Sequence, residues 1–162
     1  MKTIWKTPKT FFVLLAATLI TGTVLISCDK DDDDIDNNDM YTLSGNASGS
    51  QEIPTNTSTG TATITGSFNK STNSLSYTIN WTGMTNVLTV AHFHGPASPT
   101  ETAGPLVDIT IGTNGVSGSA AGTVTVTDAV ETALLTGKIY YNLHTTLYPN
   151  GEVRGQVVAT QQ

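Results

Sequence analysis

The chain has 162 residues, with 7 basic against 13 acidic side chains, three histidines, one cysteine and a formal net charge of −6. That balance offers no basic patch for nucleic acid, and one cysteine excludes a disulfide framework. The charge is also unevenly placed. Seven of the acids lie between Asp29 and Asp39, and from Met40 onward only 3 basic and 6 acidic residues remain.

Residues 1–27 read as a targeting segment. Lys2, Lys6 and Lys9 make a basic start, and an uncharged apolar run follows from Phe11 to Ile26. The run is short for a membrane span and stops at Leu25-Ile26-Ser27-Cys28, which resembles a bacterial lipobox. That resemblance implies cleavage before Cys28, lipid on its thiol, and a mature domain with no cysteine to spare. Residues 28–39, "CDKDDDDIDNND", carry a block of like charge with almost no apolar content, so they read as a solvated tether. Lys30, Asp31 and Asp32 resemble the export signal of surface lipoproteins in one group of Gram-negative bacteria. The expected location is the outer membrane, lipid-anchored and exposed at the cell surface.

Residues 40–162 have the length of one domain with one real core. They are rich in Thr, Ser, Gly, Val and Ile with turn signals at short intervals, the pattern of an antiparallel all-β domain. "TATITGSF" puts Ala62, Ile64 and Phe68 on one side, and after the turn "NKSTNS", "LSYTINW" does the same with Leu75, Tyr77, Ile79 and Trp81, which predicts a hairpin with one buried face. "VLTVAHFH" is apolar on both faces, as a central strand would be. Its alternation places Leu88 and Val90 with the histidines, and Val87, Ala91 and Phe93 opposite. "PLVDITI" and "GTVTVT" supply two more strands, and "GVSGSAAG" reads as a loop or irregular strand. In "TDAVETALLTGK", Asp128 is expected to cap a short helix in a capping box with Glu131, and Gly137 to end it. "KIYYNLH" and "EVRGQVVA" complete about eight strands, which suggests a Greek-key sandwich or flattened barrel with one short helix.

The residues that could carry chemistry are few. His92 and His94 stand two apart and therefore side by side on a strand. His144 ends another strand, on the face of Tyr140 and Asn142. After the next turn, Glu152, Arg154 and Gln156 alternate with Val153 and Val157. One reading makes His92, His94 and His144 the ligands of zinc or copper, with an open position for water or substrate. The other makes the histidines, Asn142, Glu152 and Arg154 a structural polar network in which Glu152 and Arg154 neutralise one another. Spacing does not show whether the three rings converge, so the pattern by itself favours the network. There is no nucleophile elbow or free thiol for a hydrolase, and the carboxylates are scattered. An enzyme is not expected.

The succession "LSG", "QEIP", "TGTATI", "LSYTINWTGM", "AHFHGPA", "LTGKIYYNLHT" and "YPNGEVRGQV" resembles the CHRD domain, first described in the animal developmental protein chordin and also found alone in bacterial exported proteins. The resemblance covers nearly all of residues 40–159. It implies an all-β extracellular module without enzymatic activity, and it groups His92, His94, Asn142, His144, Glu152 and Arg154 as one signature. A weaker likeness to copper-zinc superoxide dismutase, also a β-sandwich with a His-x-His pair, lacks the further histidines, zinc-binding loop and disulfide which that enzyme needs. The combined expectation is a surface lipoprotein whose domain is a non-enzymatic binding or structural module, with an extracellular protein or small ligand as its partner; the alternative is a copper or zinc site for redox or metal handling.

Overall fold

The computed structural model describes residues 39–112 and 114–162. The expected leader, Cys28 with its expected lipid, and all of the expected tether except Asp39 fall outside the described residues. Asp39 already belongs to the domain, since its carbonyl accepts the Lys70 N–H at 2.8 Å and its carboxylate takes the Ser71 hydroxyl.

Among the described residues, nine strands and one α-helix follow in chain order: β1 (Met40–Ser48), β2 (Thr61–Asn69), β3 (Ser74–Thr82), β4 (Leu88–His94), β5 (Pro105–Asp108), β6 (Gly118–Thr125), α1 (Asp128–Leu135), β7 (Tyr140–Thr145), β8 (Val153–Gln156) and β9 (Val158–Gln161). They form one antiparallel sheet in the order β5-β4-β7-β8-β1-β2-β3-β6, with β9 also on β1. The sheet curls over, so that the half β5-β4-β7-β8 faces the half β1-β2-β3-β6. Tyr77 of β3 meets Phe93 of β4 edge to face at 5.2 Å. The Tyr141 hydroxyl of β7 reaches across to the carbonyls of Gly45 and Ala62. The all-β sandwich with one short helix is what the chain adopts.

The predicted hairpin is β2–β3, paired from Thr61↔Thr82 to Asn69↔Ser74. All seven of its predicted core residues are buried. The expected final strand is two strands because it changes neighbours: β8 pairs with β7, β9 with β1, and the buried Val157 between them bonds to Ile139. A strand that passes from one layer to the other makes the corner of a sandwich.

Three local expectations are corrected. β4 shifts register between Leu88 and Val90, which leaves Thr89 as an extra residue and turns Leu88 into the core (1% exposed) while Val90 and Val87 face solvent. Part of "GVSGSAAG" is regular strand, since Gly118–Ala121 pair with β3. The N-cap of α1 is Thr127, one residue before Asp128, and its side chain accepts the Val130 N–H, so no capping box with Glu131 forms. Gly137 ends the helix as expected. At φ +69 it lets its own N–H reach Leu134 and that of Lys138 reach Ala133, a Schellman pair.

Candidate functional site

Among the described residues, β7 is the one strand buried from end to end. Tyr141 and Leu143 point into the core, and alternation sends Tyr140, Asn142 and His144 to the outer face. Across the ladder, His94 lies opposite Tyr140 and His92 opposite Asn142 on β4, while Arg154 lies opposite Asn142 and Gln156 opposite Tyr140 on β8. An outer sheet face normally meets water. Here three segments roof it: residues 49–53 after β1, residues 95–104 after β4, and the turn 146–151 after β7. Hence His94, Asn142, His144, Arg154 and Glu52 are all buried, and His92 is half-buried.

The three histidines converge. Ring centroids are 5.4 Å apart for His92 and His94, 5.3 Å for His92 and His144, and 5.9 Å for His94 and His144. One nitrogen from each ring lies within 4.8 Å of the others. The roof sets which nitrogens are free. His94 Nδ1 lies 3.0 Å from the Ala103 carbonyl and His144 Nδ1 lies 3.0 Å from the Pro149 carbonyl. A carbonyl only accepts, so both Nδ1 atoms carry the proton and both Nε2 atoms keep a lone pair. His92 Nε2 faces the Asp108 carboxylate at 3.6 Å. Burial pushes both His94 and His144 below the usual imidazole range, against the pull of those carbonyl bonds and with help from the neighbouring rings. Two neutral imidazoles are the outcome.

A brace holds this cluster. Tyr140 stacks on His94 at 4.9 Å, and the Arg154 guanidinium sits 3.7 Å over the Tyr140 ring. The Tyr140 hydroxyl donates to the Ala103 carbonyl and accepts the Ala103 N–H, while Arg154 donates to the Ser98 carbonyl. The same residue that fixes the His94 tautomer is therefore tied to the ring that stacks on it.

Residues 43–157 match the CHRD domain family, a span that holds every side chain of this face. The chain belongs to the CHRD family. No curated protein and no solved structure matches it.

Within this CHRD domain the six signature residues divide. His92, His94, His144, Asn142 and Arg154 share the outer face. Glu152 does not, and it does not pair with Arg154. It sits in the bend before β8, where strand alternation has not begun, fully buried and bound by the Ser58, Thr85 and Thr145 hydroxyls and the Thr85 N–H. That cage pins two connecting loops to β7, a structural task. The carboxyl facing Arg154 is Glu52, one of the scattered acids of the sequence. Its Oε2 accepts the Asn142 amide at 3.4 Å. The signal that pointed to it was its place in "QEIP", part of the family pattern rather than of any chemical spacing.

Proposed function

We propose that this CHRD domain is a non-enzymatic binding module displayed outside the cell on lipidated Cys28, with the roofed outer face of β4, β7 and β8 as its binding site. One observation carries the reading. Of the six buried side-chain polar atoms without a hydrogen-bond partner among the described residues, five belong to this face: Glu52 Oε1, His92 Nδ1, His94 Nε2, Asn142 Oδ1 and His144 Nε2. Each such atom costs about 1–3 kcal/mol of stability. A concentration of them on one face is the signature of a site kept for a ligand at the expense of the fold. The export and anchoring part of the reading rests on residues 1–39, and the non-enzymatic part on the lack of a nucleophile elbow or a second cysteine.

His94→Phe tests the site. The substitution keeps the stack on Tyr140 and removes an unmet acceptor, and the Ala103 carbonyl still receives the Tyr140 hydroxyl. If the face exists for a ligand, the ligand-free variant melts higher than the parent by about 3 °C or more. If the histidines are scaffold, it melts lower.

A further inference from the structure

We propose that the ligand of this face is a borderline divalent transition-metal ion, zinc(II) or copper(II), bound by His92 Nδ1, His94 Nε2 and His144 Nε2 with its fourth position open on the His92 side. The inference rests on the reading of the face as a binding site and names what occupies it.

The free atoms of this face admit few ligand chemistries. With Nδ1–H of His94 and His144 committed to Ala103 and Pro149, the nitrogens those rings turn inward are acceptors only. An anion needs donors, which these nitrogens do not offer. A water molecule brings two protons to three lone pairs and leaves one unmet. A metal ion accepts all three lone pairs at once.

The donor set then selects the metal. Three neutral imidazoles with no thiolate, thioether or inward carboxylate suit zinc(II) or copper(II) and are poor for magnesium or calcium. Tetrahedral zinc at about 2.0–2.1 Å from each nitrogen places the nitrogens about 3.4 Å apart. From a spread of up to 4.8 Å, that asks each ring for a small inward turn. The supports match what such ligands need: two rings orient through Nδ1–H on backbone carbonyls, and the third faces a carboxylate through its outer nitrogen, Asp108 being 3.6 Å from His92 Nε2. Access is one-sided. The His92 side chain is 18% exposed, whereas His94 and His144 are buried, so the ion enters and any exogenous ligand binds past His92.

The test uses the full chain without an affinity tag, stripped by chelator and titrated with zinc(II) and copper(II) by calorimetry, with cobalt(II) as the spectroscopic probe. The expected result is about one equivalent of zinc or copper and the visible bands of four-coordinate cobalt(II). In His94→Gln and His144→Gln the affinity falls at least ~100-fold while the stripped variants still unfold in one cooperative transition. Copper(II) paramagnetic resonance of the unmutated chain counts nitrogen ligands independently of any variant, and three are expected. Metal bound equally by the His94→Gln/His144→Gln double variant places it on the acidic segment 28–39 and overturns the proposal. So does the absence of uptake, or a copper spectrum without nitrogen coupling. If uptake is absent but His94→Phe still raises the melting temperature, the metal is wrong and the binding face stands; if His94→Phe lowers it, both readings fall.

Discussion

Glu52 shows what one buried carboxyl does at the residue scale. Burial raises its pKa to about 7, against the opposing pull of Arg154, the Asn142 amide and the Ile53 N–H. Asn142 Nδ2 donates to Oε2, which leaves Glu52 Oε1 and Asn142 Oδ1 as two unmet acceptors in one corner. Both oxygens lie within 2.5 Å of where a Cβ would stand on Gly151, a position that only glycine fills at φ +129. A proton on the carboxyl supplies the donor that this corner lacks. The folded-state value stands above the ordinary 4.5, so the stability that the neutral acid contributes is complete below pH 4.5 and is lost as pH rises through about 7. In Glu52→Gln, which cannot ionise, that loss disappears. Urea unfolding of the two proteins at a series of pH values should show the parent falling relative to the variant by roughly 2 kcal/mol between those limits, and parallel curves would refute the assignment.

The helix α1 and the strand β4 carry the lesson at the scale of elements. Both were expected from periodicity, and both exist, but each is offset by one residue in a way that periodicity cannot see. In α1 the cap is Thr127, because its extended backbone aims its hydroxyl at Val130, while the Asp128 carboxylate accepts the Asn73 amide. Thr127→Ala should therefore cost about 1 kcal/mol, measured by thermal or urea unfolding, with Asp128→Ala costing less. The opposite order would restore Asp128 as the cap. In β4 the extra residue Thr89 reverses the faces of everything before it, so Leu88 packs in the core while His92 and His94 keep the outer face that the i, i+2 rule assigned them.

For the whole molecule, the decisive feature is the strand that changes layers at Val157. It joins the half that carries the histidines to the half that carries the β2–β3 hairpin, and so makes one core between the two halves of the sheet. The site lies outside that core, on the face of the β5-β4-β7-β8 half turned away from it. The anchoring is tested on intact cells. Added protease should remove the domain from the surface, and Cys28→Ala should move the protein from the membrane fraction to the soluble one. A domain that survives protease on intact cells refutes surface display, and an unchanged membrane fraction for Cys28→Ala refutes the lipid anchor.

Alternation of apolar residues, a local property, was enough to assign the β class, the β2–β3 hairpin and the shared face of His92 and His94, because side-chain direction along a strand depends only on the strand itself. The family pattern grouped His144, Asn142, Glu152 and Arg154 with that pair, and of these Glu152 does not share the face. Tertiary structure alone decided that the three rings converge, that Glu152 belongs to a separate cage and that Glu52 takes the place beside Arg154. Those outcomes depend on which strands become neighbours and in what register, on the one-residue shift at Thr89, and on loops that fold over the sheet from positions far away in the chain. A long-range register of this kind is set by the fit of whole layers, so no single stretch of the sequence contains it.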